Sequence, residues 1–124
     1  KTLELFSDDE VNGVYVVLEG VYQGSTTPLA TKFRQDFKAK YNLDADANAA
    51  LHYDGTMMLG EALKQAGTTD NKAIRDALQK LQNFEGTTCT YTMHADGESC
   101  FQYAVYQFNK KAVEMRKTYD FGKK

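Results

Sequence analysis

The chain is poor in the features by which a function usually announces itself. No tryptophan and a single proline occur in its 124 residues, which by themselves decide nothing. Other absences decide more. No run of about 18 apolar residues exists, so no membrane-spanning helix is expected. The formal charge is -2 with the two signs interspersed, which leaves no basic face and no case for nucleic acid as a partner. His52 and His94 are the only histidines, far apart and outside any metal-ligand spacing. There is no G-x-S-x-G, no phosphate-cradling glycine loop and no dinucleotide fingerprint. Nothing positive supports an enzyme, and no cofactor or metal is expected. Cys89 and Cys100 are the only cysteines. They flank a turn, so a cross-strand disulfide is reasonable and would suit an oxidising compartment; the alternative is two buried thiols. A hydrophobic content of 42% and a charged content of 26% are ordinary for a globular domain. The length suits one unit, residues 1–124. Because the chain opens on Lys1, it is expected to be either a mature form or a piece of something longer.

What is present is organised around residues 49–67, A-A-L-H-Y-D-G-T-M-M-L-G-E-A-L-K-Q-A-G. Leu51, Thr56, Leu59, Leu63 and Ala66 recur three to five apart, and Met57, Met58, Ala50 and Ala62 widen the apolar arc. Such breadth predicts a helix buried between other elements. Gly67 closes it, since glycine enters the left-handed conformation without penalty. His52, Tyr53 and Asp54 stand on its first turns as polar-capable side chains in an otherwise apolar element. Tyr53 draws attention by position: an aromatic face at the start of a buried helix can cover a ligand, and the helix N-terminus can face a carboxylate.

The remaining elements fall on either side. Residues 1–10 are expected to be an edge segment or tail, with Asp8, Asp9 and Glu10 as a solvated charge run. The β-branched stretch 14–18 predicts a strand buried on both faces, followed by a Gly/Ser/Thr-rich loop over 19–27. Pro28 opens an amphipathic helix of about 14 residues capped by Thr26 or Thr27, with Leu29, Phe33, Phe37 and Tyr41 every four residues. The linker 42–48 contains D-A-D-A-N, the first half of a calcium loop, but Ala49 and Gly55 stand where such a loop needs Gly and Glu. It reads as a solvated acidic linker with a helix cap. A third helix is predicted over about 71–82, started by Thr69 or Asp70. From residue 87 the period changes to that of a β-meander, with strands at 87–93, 100–108 and 112–115 and a turn at Asp96-Gly97. This order of elements indicates an α/β or α+β unit.

Six segments in register then resemble a known family. They are N-G-V-Y-V-V, P-L-A-T-K-F-R-Q-D-F-K-A-K-Y-N, H-Y-D-G-T-M-M-L-G-E-A-L-K-Q-A-G, T-D-N-K-A-I-R-D-A-L, F-E-G-T-T, and H-A-D-G-E with Y-A-V-Y-Q-F. Together they are similar to the carboxy-terminal part of the periplasmic branched-chain amino acid binding proteins, the receptors of ABC importers. The resemblance implies part of a type I periplasmic-binding-protein fold: an α/β sheet flanked by helices, ending in a β-meander, one portion of a two-lobed protein. It implies an exported, periplasmic or extracellular protein that encloses a small amino acid or related carboxylate or aromatic solute in an interlobe cleft and is read by a membrane permease. The alternative of another class is a ligand-sensing regulatory domain of the same fold. In the family the tyrosine of the Y-D-[AG] segment faces the cleft, and it falls on Tyr53. Residues 14–18 match a strand near an interlobe crossing, with Glu19 and Tyr22 just beyond as further candidate ligand contacts. The sequence departs from the family where Cys89-Thr90-Tyr91-Thr92-Met93-His94 replaces its usual G-P and F-D pattern, so the cysteine pair looks like a local addition. The family's chains are much longer, so the missing amino-terminal part, or a second copy, is an expected associate.

Overall fold

The computed structural model describes residues 5–19, 26–99 and 102–121, with the side chain of Glu19 left aside. The first element is a short helix, α1 (Asp8–Val11), rather than a tail. Ser7 caps it reciprocally: the Ser7 hydroxyl accepts from Glu10 N–H, and the Glu10 carboxylate accepts from Ser7 N–H. The chain then enters β1 (Tyr15–Glu19), which pairs antiparallel with β4 (Gln102–Asn109); β4 in turn pairs antiparallel with β5 (Ala112–Asp120). The sheet order is β1-β4-β5, with a register irregularity between Val105 and Tyr106. The expectation that 14–18 is buried on both faces is corrected here. Tyr15 and Val17 are 63% and 60% exposed, because β1 is an edge strand and no described element covers that face.

The helices fall where the sequence pattern places them, but the expectation that the 49–67 helix is buried between other elements is corrected: Met57, Leu59 and Leu63 are exposed, because no described element covers that side. α2 (Pro28–Tyr41) has Thr27 as its N-cap and Pro28 in its first turn, and Asn42 ends it at φ 54°. α3 (Ala47–Ala66) begins on Asp46, whose carboxylate accepts from Ala49 N–H at 2.8 Å, and ends on Gly67 at φ 62°. The acidic linker thus serves as the cap, with Asp44 paired to Lys38 at 3.1 Å. α4 (Asn71–Leu78) is capped by Asp70 and is shorter than its apolar stripe predicted, the chain turning at residues 79–81. α3 packs on α4, and its buried residues are Ala50, Asp54, Met58 and Ala62.

The meander is confined to β4 and β5, and β5 runs five residues past its predicted end at 115 to Asp120. The strand expected over 87–93 shrinks to β3 (Thr90–Tyr91), which folds back on β2 (Phe84–Glu85) as a separate ribbon. The physical reason is that residues 86–88 bend around a buried carboxylate instead of extending. Asp96-Gly97 forms the tight turn predicted, with Gly97 at φ 91° and Glu98 N–H donating to Asp96 Oδ1. One core cluster comprises Met58, Leu81, Cys89 and Tyr91, and a second joins Phe33 to Ala50.

Candidate ligand groove and the Asp54 anchor

The three polar-capable residues at the start of α3 separate by 100° per residue and meet three environments. His52 is exposed, its Nδ1–H donating to the Asn48 carbonyl at 2.7 Å. Tyr53 turns to α2, where its ring lies 4.8 Å from that of Phe33 at a 41° tilt. Such tilted pairs contribute about 0.5–1.5 kcal/mol beyond the area they bury. Asp54 faces the other way and is buried to 1% exposure.

Tyr53 and Phe33 form part of an apolar groove of about 460 Å³ between α2 and α3. Phe37 and Tyr41 continue the aromatic wall at one-turn intervals, with ring centroids 5.8 Å and 4.7 Å apart in succession. Lys32, Lys40, Asp36, His52 and Thr56 are polar members of the lining. Lys32 donates to Asp36 at 2.7 Å, and that bond holds its ammonium above the usual lysine range. The arrangement offers broad apolar contact with cations beside it, which suits holding a molecule by non-covalent contact.

Asp54 is the centre of a denser structure. Thr87 N–H donates to Oδ1 at 2.7 Å; Thr88 N–H, the Thr88 hydroxyl and the Tyr91 hydroxyl donate to Oδ2 at 3.2, 3.2 and 2.9 Å. The Thr87 hydroxyl also donates to the Ala50 carbonyl at 3.5 Å. Gly86 is required at the start of this loop, since a Cβ there would sit 2.4 Å from Tyr91 Cε2 and 2.7 Å from Asp54 Oδ2. A buried carboxylate is tolerable only with such compensation. Sequence reasoning singled out Asp54 without finding its partners. The usable signal was its phase: Asp54 lies four residues from both Ala50 and Met58, on the apolar stripe.

Glu19 is the last residue of β1, in register with Tyr103 of β4. Tyr22 and Cys100 lie outside the described residues. Cys89 is buried in the cluster with Met58, Leu81 and Tyr91. Among the described residues, no group of three metal-ligating side chains forms and no helix is long and apolar enough to cross a membrane.

Comparison with known proteins supplies the frame for this geometry. Residues 1–112 match the family model of the periplasmic binding proteins. The chain belongs to the periplasmic binding protein family. Its members are solute binders without enzymatic activity. The leucine-binding protein LivK of Thermotoga maritima is 25% identical, with a TM-score of 0.81 over 90% of this chain and 32% of that one. The branched-chain amino acid transporter substrate-binding protein LivJ of Streptococcus pneumoniae, solved with isoleucine, is 26% identical, with a TM-score of 0.75 over 89% and 32%. An ABC transporter substrate-binding protein of Desulfitobacterium hafniense, in complex with Leu, is 19% identical with a TM-score of 0.76 over 88% and 33%, a likeness of fold alone. The chain therefore has part of the type I periplasmic-binding-protein fold, with mixed helix and sheet, and spans about a third of the length of these structures. The search of curated proteins found no match.

Proposed function

We propose that the chain is the carboxy-terminal portion of a two-lobed, exported solute-binding receptor of an ABC importer. It binds a small amino acid or related carboxylate or aromatic solute in an interlobe cleft, and a membrane permease reads the closed form. The observation that carries the reading is family membership joined to unfinished packing. Tyr15 and Val17 on β1, and Leu59 and Leu63 on α3, are apolar and exposed on a fold whose relatives are about three times as long. Such faces call for covering elements, which the remaining two thirds of the fold would provide.

Within this reading Tyr53 is the ligand contact contributed by α3, with its ring already fixed against Phe33. Glu19, the last residue of β1, and Tyr22, three residues on in the sequence, are the second pair of candidate contacts. Leucine and isoleucine, bound by the relatives, are the first ligands to try. Cys89 and Cys100 form a disulfide in this reading. It is supported by the burial of Cys89 and by the lack of any free cysteine among the described residues, and it suits a periplasmic or extracellular location.

The test is calorimetric titration of leucine and isoleucine into the full-length protein and its Tyr53→Ala variant. The expected outcome is an affinity about tenfold lower or worse for the variant, with the melting temperature of the empty protein lowered by a few degrees through the lost Phe33 contact. Wild-type affinity in the variant removes Tyr53 from the site.

A further inference from the structure

The Asp54 anchor and the Tyr53 groove occupy adjacent residues of one helix, and the two contacts differ in kind. Tyr53 meets α2 through rings, an apolar contact that resists separation but permits sliding and rotation. Asp54 meets residues 86–91 through four directional hydrogen bonds at a site with almost no solvent. One turn earlier, the Ala50 carbonyl is held by Thr87 of the same strap. The first two turns of α3 are thus keyed in rotation and translation on one flank only. The opposite flank, Ala49 and Tyr53, lines the groove.

We propose that Asp54 is the positioning residue of the groove: by locking the 86–91 strap to α3, it sets the helical phase that places the Tyr53 ring against Phe33. Gly86 admits the strap to within contact of the carboxylate. Tyr91 spans from its core cluster to the same oxygen, so hydrogen bonds refer the helix phase to the Met58–Leu81–Cys89 core, beside the apolar packing of Ala50 on Phe33 of α2. The effect on ligand affinity rests on the reading of Tyr53 as a ligand contact; the effect on the Tyr53 ring does not.

Asp54→Asn is the decisive substitution. An amide supplies one acceptor where the carboxylate has two. With its oxygen toward Thr87 N–H, its NH2 opposes Thr88 N–H; reversed, it opposes Thr87 N–H. Either way one backbone donor is lost while volume is kept. The full-length protein is labelled with 3-fluorotyrosine, and the Tyr53 fluorine resonance is assigned by its loss in Tyr53→Phe. In Asp54→Asn the Tyr53 resonance is expected to move, while those of Tyr103 and Tyr119, on the sheet, stay in place. Tyr91→Phe removes one donor and is expected to move Tyr53 in the same direction by less; it carries the test if Asp54→Asn fails to fold. A folded variant with the Tyr53 resonance at its wild-type position overturns the proposal. In the full-length protein, Asp54→Asn is expected to weaken leucine binding about tenfold. A moved resonance with unchanged leucine affinity upholds the positioning role and refutes Tyr53 as a ligand contact.

Discussion

The two flanks of α3 invert the usual rule of hydrophobic inside and charged outside. Asp54 is 1% exposed, whereas Leu59 and Leu63 of the same helix are 43% and 37% exposed. Composition does not explain this; the availability of a partner does. The carboxylate is buried because four donors converge on it, two of them backbone N–H groups that would themselves be orphaned without it. The leucines are exposed because no described element lies over them. A broad apolar arc therefore reports the surface a helix needs covered, and a single charged residue inside the arc reports where the covering loop is anchored.

The largest expected effect comes from cutting the anchored flank. Asp54→Ala leaves the Thr87 and Thr88 N–H groups and two hydroxyls facing a small void, and should cost about 3–5 kcal/mol, read as a lower midpoint in urea denaturation. A loss below about 1 kcal/mol would mean that water replaces the carboxylate at little cost and that the anchor is not structural. Gly86→Ala tests the same flank from the strap. Its Cβ, 2.4 Å from Tyr91 Cε2, cannot be housed without moving the strap, and overpacking of this kind costs about 1–3 kcal/mol.

The open flank should behave oppositely. In this chain Leu59→Ser is expected to change stability by no more than about 0.5 kcal/mol, as for other exposed positions. In a longer protein where the remaining fold covers α3, the same substitution should cost about 2 kcal/mol or more. Equal losses in both contexts would show that nothing packs on this face and would remove the argument from unfinished packing.

Much of this was legible in the residues. The phase of Leu29, Phe33, Phe37 and Tyr41, with Pro28 and a threonine cap before them, sufficed for α2; Gly67 marks the end of α3, whose start lies two residues ahead of the expected Ala49, at Ala47. These signals are local, and local signals survive in any context. What was not legible depends on non-local facts. The run at 14–18 has the composition of a doubly covered strand, yet its cover is not among the described residues. The stretch 87–93 has β propensity throughout, but the bonds from residues 87 and 88 to Asp54, more than 30 positions away, override it. Propensity cannot anticipate a partner so distant in sequence. The site was half legible for the same reason: adjacency picked out Tyr53 and Asp54 together, and only the fold separates groove from anchor.

A second carboxylate sharpens the contrast at the small end of the scale. Glu10 also accepts hydrogen bonds from backbone and hydroxyl, those of Ser7, both at 2.8 Å, but on the surface. The Ser7 backbone bond first, and its hydroxyl second, hold the Glu10 carboxyl below its ordinary value. A group whose titration is lowered by folding stabilises the fold above its unfolded value and loses that contribution as the pH falls through the folded one. Fraying of α1 should therefore begin only in the acid range. The checking measurement is the Glu10 carboxyl carbon titration by NMR, in the native chain and in Ser7→Ala. The midpoint should rise in the variant, since the hydroxyl bond is gone and the backbone bond is loosened with the capping box. An unchanged midpoint would mean that Ser7 and Glu10 do not hold one another in solution. Glu10 would then differ from Asp54 in having no bonds at all, and not merely in having them where water competes.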